Sequence, residues 1–264
     1  LCTPNNTHEE MALEALGAGK HVLVERPIAT SAAGAARVIE AAKTAGAYLA
    51  VGHPHRFRPE VAALRSFVAG GELGELYAVR GSWLTRQVPL LRATWRQSKA
   101  ASGGGAMMDL GVPALDLCLW IVGFPNIRSV SCVVHKGEYE VEDAATLMFE
   151  SEDGIVFSME VSNRLFAGED RYYTRVMGTE GSGSFPPLEI HKQLGGRPLE
   201  VTPRQPRPRG GENPYTNAYR RLLDQFVRGV AGRHEIELPE EQVALMRLIE
   251  AAYESAEAGR AVAL

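Results

Sequence analysis

Cysteine is scarce in this chain. Its 264 residues contain three, Cys2, Cys118 and Cys132, and neither their odd number nor their spacing suits a disulfide framework or a metal site. They are typical of reduced thiols packed in the core of a cytoplasmic protein. His135 and His191 have no partner at ligand spacing, so the sequence predicts no metal site.

A strong net charge is missing as well. The formal net charge is −4, which gives no reason to expect nucleic acid or an anionic membrane as a partner. No uninterrupted stretch of about 20 apolar residues stands out, so no membrane span is predicted. Hydrophobic residues make up 45% of the chain, enough for a sizeable core in one or two domains.

The Gly-x-Gly-x-x-Gly turn of dinucleotide-binding folds does not occur in the sequence. That turn places a pyrophosphate on a helix N-terminus. Leu1 already resembles the end of a strand, so we expect the later part of a longer protein. We also predict that the chain alone, lacking central strands, is unstable or binds cofactor poorly. NAD and NADP stay equally open.

Short apolar strands alternate with amphipathic helices in the first 55 residues. Strands are predicted at His21–Glu25 and Tyr48–Gly52, with a helix after Thr30 between them. This alternation indicates βαβ units and a parallel sheet. Residues 1–55 are therefore predicted to be the C-terminal part of a dinucleotide-binding Rossmann domain.

From about Leu76 the pattern changes to longer strands joined by turns. These strands are predicted at Leu76–Leu84, Ile127–His135, Ala144–Phe149, Ile155–Val161, Tyr173–Met177 and Ser184–Ile190. A helix from about Pro113 to Val122 interrupts them, and two helices, Tyr215–Val230 and Pro239–Ala258, close the chain. We expect residues 56–264 to form an α+β substrate and oligomerisation domain with a mostly antiparallel sheet.

Several motifs occur in the order typical of one known family. They are Thr3–His8, Gly19–Pro27, Trp95-Arg96, Gly103–Gly105, Asp109–Asp116 and Glu250–Ala256. Over essentially the whole chain the sequence resembles the Gfo/Idh/MocA oxidoreductases. The resemblance implies a fold of class α/β plus α+β, in which a partial Rossmann-like parallel βαβ domain precedes a mostly antiparallel sheet domain. It also implies bound NAD or NADP, a sugar or polyol substrate, and a homo-oligomer, either a dimer or a tetramer.

The resemblance further implies which residues lie along the cofactor. They are Thr3, Pro4, Asn5, His8, Glu25 and Arg26. Glu25 matches the glutamate that lies by the nicotinamide ribose in the family's Glu-Lys-Pro motif. Arg26 takes the place of that motif's lysine, which helps to polarise the reacting hydroxyl.

On the substrate side, the resemblance implies Trp95, Arg96 and Asp109. The family's Asp-x-Gly-x-His run gives an aspartate and a histidine to the substrate hydroxyl, and here these positions are Asp109 and Pro113. Oxidation of an alcohol needs a base with a pKa near the working pH, whereas arginine stays protonated and proline does not titrate. Asp109 is therefore the candidate base. The alternative is that Asp109 only caps the helix beginning near Gly111.

Two histidines provide another candidate for the proton acceptor. His53 and His55 follow the strand Tyr48–Gly52, on a loop that should face the nicotinamide. One hypothesis gives one of them the role of the absent histidine. The alternative is that both only pack against or cap the turn that follows. The predicted catalytic set is therefore Asp109, His53, His55 and Arg26. The charge of Arg26 can stabilise a developing alkoxide.

Three functions remain open at this point. The first is an NAD(P)-dependent oxidoreductase transferring hydride to or from a secondary hydroxyl of a sugar, inositol or related polyol. The second is a family member without dehydrogenase turnover, which binds dinucleotide or sugar as a regulatory protein. The third is a redox-neutral sugar-modifying enzyme that works through transient oxidation. Arg26 and Pro113 motivate the second and third.

Overall fold

The computed structural model describes residues 1–87, 93–205, 213–232 and 237–264. Within these residues, helices α1 to α7 span His8–Gly17, Ala32–Ala45, Pro59–Ala69, Lys99–Ser102, Val112–Val122, Pro214–Val230 and Glu241–Ala258. Strands β1 to β11 span Val22–Glu25, Leu49–Gly52, Leu76–Arg86, Ile127–Lys136, Glu142–Ser151, Val156–Leu165, Arg171–Gly178, Gly181–Phe185, Glu189–Leu194, Arg197–Glu200 and Val262–Ala263.

The first part of the fold is a small parallel sheet with helices. β1 and β2 run parallel, with Glu25 opposite Gly52 at their carboxyl ends. The other edge of β1 pairs with Leu1, whose nitrogen donates to the Leu23 carbonyl at 2.6 Å. The Leu1 carbonyl in turn accepts from the Glu25 N–H at 2.9 Å. The predicted βαβ arrangement with parallel strands is confirmed.

The second part is a nine-stranded sheet. Its strands lie in the order β10-β9-β8-β7-β3-β6-β5-β4-β11. β3 and β6 run parallel, and the other neighbouring strands run antiparallel. Buried Val79, Leu147 and Val161 face the helices, whereas exposed Arg80 and Met148 alternate with them on the outer face. The mostly antiparallel sheet is therefore confirmed.

One predicted strand is wrong in its bounds. The range Ser184–Ile190 contains parts of two antiparallel strands, β8 and β9, with a turn at Pro186 and Pro187 between them. Proline cannot donate a hydrogen bond to a sheet ladder, so two consecutive prolines end β8. The short strands β10 and β11 were not predicted either.

A helical segment from Lys99 to Val122 packs under the sheet. A π-helical turn, Met107–Gly111, leads directly into α5, Val112–Val122, so the predicted helix from about Pro113 to Val122 is confirmed, whereas the helical turn before it was not predicted. The segment is long and apolar enough to span a membrane, contrary to the sequence prediction, but 83% of its apolar window is buried inside the protein. Gly81 on β3 leaves room for it, because a Cβ there would lie 2.8 Å from Cys118 Sγ.

The prediction that the three cysteines pack in the core is confirmed for Cys118 and Cys132 and is wrong for Cys2. Cys118 and Cys132 are buried, whereas Cys2 is exposed, and none forms a disulfide. Burial raises the pKa of the Cys118 and Cys132 thiols to about 12. Both therefore stay protonated at neutral pH and pack as small apolar groups.

Two hydrogen bonds join the parallel and antiparallel parts at the crevice between them. The Asn5 side-chain amide donates to the Ser102 carbonyl at 2.8 Å. Arg26 Nη1 donates to the Asp109 carbonyl at 2.7 Å. The carboxyl ends of β1 and β2 therefore face the segment that carries Asp109.

Candidate active site

Glu25 ends β1 with its carboxylate at the crevice. A Cβ on Gly52, the opposite residue of β2, would lie 2.8 Å from Glu25 Oε2, so only glycine leaves the carboxylate its present place. The Tyr219 hydroxyl donates to Glu25 Oε1 at 2.9 Å. Burial, Tyr215 and Glu25 raise the pKa of Tyr219, so this donor keeps its proton. A carboxylate fixed in this way can accept hydrogen bonds from ribose hydroxyls.

His8 connects the two loops beside Glu25. Its Nδ1 lies 2.7 Å from the Pro27 carbonyl oxygen and its Nε2 lies 2.9 Å from the Thr3 carbonyl oxygen. His8 and Asn5 are buried, whereas Thr3 and Pro4 are half-exposed. The predicted cofactor residues thus divide into a half-exposed pair on the crevice and a buried pair that positions the surrounding backbone.

Arg26 and Pro113 act on the same backbone oxygen. In an α-helix the N–H of residue 113 would donate to the carbonyl of Asp109, and proline has no N–H to give. Arg26 Nη1 donates to that carbonyl instead, at 2.7 Å. The two departures from the family pattern therefore meet at Asp109, whose backbone the Arg26 guanidinium holds.

The Asp109 side chain is free of any capping role. α5 has Gly111 at its N-cap with no side-chain hydrogen bond, so the alternative that Asp109 caps this helix is wrong. The carboxylate is 44% exposed, and Arg96 Nε lies 3.7 Å from its Oδ1. It is therefore a half-exposed acceptor beside a positive charge, in reach of a bound molecule.

A cavity of about 450 Å³ opens beside Asp109, and we call it the Asp109 cavity. Its lining residues are Thr85, Arg86, Gln87, Arg96, Gln97, Gly105, Asp109, Glu138, Tyr139, Val141, Asp143, Asn163 and Arg164. Three arginines and three acidic residues are among them, and Arg164 Nη1 donates to Asp143 Oδ2 at 3.0 Å. Donors and acceptors are thus both abundant, which suits a ligand rich in hydroxyl groups.

Of the predicted substrate pair, Arg96 lines this cavity and Trp95 supports it. The Arg96 guanidinium lies over the Trp95 ring, 4.4 Å from its centroid. Both belong to a 3-10 turn that begins with a capping box between Thr94 and Gln97. The turn therefore presents Arg96 to the cavity with the indole as its platform.

His53 lies in a buried ionic network and not in the Asp109 cavity. Its Nε2 lies 2.9 Å from Gln242 Oε1, and its Nδ1 lies 3.3 Å from Asp116 Oδ2. Burial lowers the pKa of His53. Arg56 donates to both carboxylate oxygens of Asp116 and, at 2.8 Å, to Glu241. These contacts match the packing alternative for His53.

His55 lies apart from Asp109, in a second cavity of about 350 Å³ that we call the aromatic cavity. This cavity is lined by His55, Arg58, Trp83, Asp170, Tyr172, Asn213, Pro214 and Tyr215. Burial, with the nearby charges of Arg58 and Arg26, lowers the pKa of His55 to about 4. The ring is therefore neutral at physiological pH.

This depressed pKa predicts a loss of stability in acid. Between pH 6.5 and about 4 the unfolded chain binds a proton at His55 that the folded chain does not, so stability falls as the pH falls. We expect a loss on the order of 3 kcal/mol from this group. Urea unfolding at pH 7 and pH 4 measures it, with His55→Phe expected to lose less stability than wild type.

His135→Phe serves as the control, because His135 is exposed on β4. It should show the same acid loss as wild type. An acid loss in His55→Phe equal to that of wild type would contradict the assignment.

Glu142 is a buried site residue that sequence reasoning missed. Its Oε1 accepts hydrogen bonds from the Gly105 and Met107 N–H groups, at 3.0 and 2.9 Å, and from the Tyr253 hydroxyl at 2.8 Å. A Cβ on Gly105 would lie 1.9 Å from the Glu142 carbonyl oxygen, so glycine at this position allows the close approach of the two backbones. Glu142 therefore fixes the turn that leads to Asp109.

Comparison with known proteins identifies the family. Residues 1–53 match the model of the Gfo/Idh/MocA oxidoreductase family with an NAD-binding Rossmann fold, and residues 61–184 match a Gfo/Idh/MocA C-terminal domain. The crystal structure of GenD2 from gentamicin A biosynthesis, in complex with NAD, is 30% identical with a TM-score of 0.83, over 99% of this chain and 76% of that one. This chain belongs to the Gfo/Idh/MocA family.

Other relatives of this family member agree in fold and in class of enzyme. D-glucoside 3-dehydrogenase of Escherichia coli K12 is 29% identical over 100% of this chain and 78% of that protein. A levoglucosan dehydrogenase in complex with NADH and L-sorbose has the same fold, with a TM-score of 0.87 at 23% identity, over 99% of this chain and 78% of that one. The chain is an NAD(P)-dependent oxidoreductase, and Glu25 with the Thr3–Asn5 turn fits the nicotinamide end of such a cofactor.

Among the described residues, no group of three or more His, Cys, Asp or Glu side chains is arranged to hold a metal ion. By the general rule for parallel sheets, a dinucleotide would bind outside the carboxyl ends of β1 and β2.

Proposed function

We propose that this protein is a dehydrogenase that oxidises a secondary hydroxyl of a sugar or related polyol with NAD as the acceptor. The observation that carries the proposal is the Asp109 cavity, which places a half-exposed carboxylate among paired charges at the crevice. Each sugar hydroxyl both donates and accepts a hydrogen bond, as these paired groups require. The name of the Escherichia coli relative, a glucoside dehydrogenase, supports the same substrate class.

In this proposal Asp109 takes the proton of the reacting hydroxyl. Arg26 stays charged and holds the Asp109 backbone at 2.7 Å, and its positive charge stabilises the developing alkoxide. Glu25 would hold the nicotinamide ribose by accepting hydrogen bonds from its hydroxyl groups. A bound nicotinamide would supply the hydride acceptor for the carbon that carries the reacting hydroxyl.

The proposal is tested by screening the protein, expressed from its complete gene, with NAD or NADP over monosaccharides, methyl glycosides and polyols. We expect reduced cofactor to form together with a product two hydrogens lighter than the substrate. Tight cofactor binding without reduction across the panel would favour a regulatory protein. A modified sugar without net cofactor reduction would favour the redox-neutral enzyme.

We also infer that the outer face of the sheet pairs with a second copy of the chain. The exposed face carries Val133, Met148, Val156 and Tyr173, whose side chains are 74%, 57%, 40% and 43% exposed. An apolar face of this kind is typical of an interaction surface. This is the homo-oligomer expected from the family.

A single charge on this face should separate the subunits. Met148→Glu introduces a carboxylate into the centre of the proposed interface, where its desolvation is unfavourable. Light scattering after size exclusion should give a dimer or tetramer for wild type and a smaller species for the variant. A wild-type monomer at micromolar concentration overturns the inference.

A further inference from the structure

The aromatic cavity is walled by aromatic rings. Trp83 and Tyr172 stack in its wall, with ring centroids 5.3 Å apart and planes inclined by 26°. The His55 ring stands edge-on to both, at 5.0 and 5.8 Å, and Tyr215 lies 5.5 Å away. Its volume of about 350 Å³ is within the range of small-molecule sites.

We propose that the aromatic cavity is a subsite for a second sugar ring, so that the substrate is a two-ring glycoside oxidised on the ring held in the Asp109 cavity. This inference rests on the proposed dehydrogenase function and adds the size and class of the substrate. The second ring does not react, and it contributes binding and orientation.

Two residues that line the cavity have buried polar atoms without a hydrogen-bond partner. His55 is 7% exposed, yet neither of its ring nitrogens has a hydrogen-bond partner. Arg58, which is 9% exposed, likewise has a buried Nε without a partner. Buried polar groups are rarely left unpaired, because a donor or acceptor that has lost water without gaining a partner is unfavourable.

The chemistry of these groups favours a sugar. A neutral imidazole has one donor and one acceptor nitrogen, which matches a hydroxyl group that also donates and accepts. Asp170 adds a carboxylate acceptor at the rim. The apolar C–H face of a pyranose can lie against the rings of Trp83 and Tyr172, and its hydroxyl groups can donate to the Asp170 carboxylate at the rim.

The two cavities are neighbours along β3. Trp83 lines the aromatic cavity and Thr85, two residues later on the same face of the strand, lines the Asp109 cavity. Arg86 of the Asp109 cavity donates its backbone N–H to Asp170 of the aromatic cavity at 2.8 Å. One ligand with two linked rings can therefore occupy both cavities.

Calorimetric titration in the presence of NADH, which cannot oxidise the sugar, tests the subsite. The ligands are cellobiose, maltose and lactose, each compared with the methyl glycoside of its non-reducing ring. At least one disaccharide should bind at least about 10-fold tighter than its methyl glycoside. His55→Phe and Tyr215→Ala should each remove most of this advantage, and Tyr77→Ala, a change at an exposed tyrosine outside both cavities, should keep it.

A general effect on folding would weaken the binding of both ligands, whereas loss of a subsite would weaken the binding of the disaccharide alone. The ratio of the two affinities within one variant therefore separates these effects. Equal affinity for every disaccharide and its methyl glycoside overturns the inference, as does an advantage that survives in both variants. Tighter disaccharide binding without any cofactor reduction supports the subsite and contradicts the proposed dehydrogenase. Turnover of methyl glycosides without tighter binding of any disaccharide would support the proposed dehydrogenase and contradict the subsite.

Discussion

Asp109→Asn is expected to lower kcat by at least about 100-fold, the lower end of the range for loss of a general base. Asparagine keeps the shape of the side chain and the backbone carbonyl that accepts from Arg26. It removes the carboxylate, which is the group of the Asp109 cavity that we propose takes the hydroxyl proton. Initial rates of cofactor reduction at saturating sugar give kcat, and fluorescence titration gives the dissociation constant for the reduced cofactor, which should change little.

Asp224→Asn is the matched control for this experiment. Asp224 is an exposed aspartate on α6, paired with Arg228 one turn later, and it lies outside both cavities. This variant should have the kcat of wild type. If Asp109→Asn keeps more than a third of the wild-type kcat, Asp109 is not the proton acceptor.

Arg56→Met is expected to lower the free energy of unfolding by about 3–5 kcal/mol, the usual effect of removing one partner of a buried ion pair. Asp116 is 2% exposed and lies between Arg56, His53 and Gln242. The Arg56 charge offsets the burial of this carboxylate and, with His53, holds the pKa of Asp116 below its usual value. Methionine fills similar space but leaves the carboxylate without its cation.

Two further variants make the reason for this loss testable by urea unfolding. Arg56→Met combined with Asp116→Leu removes both charges, so it should recover much of the lost stability. Arg128→Met breaks an exposed pair with Glu150 and should change stability by less than about 1 kcal/mol. If Arg56→Met is as mild as Arg128→Met, the buried pair does not stabilise the fold.

Much of the fold could be predicted because its signals are local. Strand β1 and the helix after Thr30 follow from apolar periodicity, and the carboxyl end of β1 places Glu25 at the crevice. The sheet after Leu76 follows from strand patterns. The end of β8 before Pro186 shows the limit of this reasoning. Two consecutive prolines within an apolar run end the strand, and the alternation of residues alone does not reveal this.

The site could be predicted only in part, since its geometry depends on distant residues. Asp109 was identified, but the hydrogen bond from Arg26 to its carbonyl joins residues 83 positions apart. His53 occupies the loop that was expected to face the nicotinamide, yet its side chain contacts Gln242, 189 positions away, in the buried ionic network. Glu142 carries no local motif, and its role appears only when the sheet brings it to the glycine run.

The Arg26 and Pro113 substitutions thus have a common structural consequence. Each departs from the family's proton-handling pattern, and Arg26 donates to the Asp109 carbonyl a hydrogen bond that proline at position 113 cannot give. A lysine at position 26 and a histidine at position 113 would restore two titratable groups. This chain has neither of them. Among the residues that the structure describes at the crevice, Asp109 is the titratable side chain that lies beside both Arg26 and the Asp109 cavity.

Transfer of deuterium from sugar to cofactor is the most direct test of the central claim. The protein is incubated with NAD and a methyl glycoside deuterated at every ring carbon, and the cofactor is examined by mass spectrometry. Our account predicts reduced cofactor that is one mass unit heavier than ordinary NADH, together with a ketone on the sugar. Product that forms with unlabelled cofactor, or bound sugar and NAD that never exchange deuterium, would contradict it.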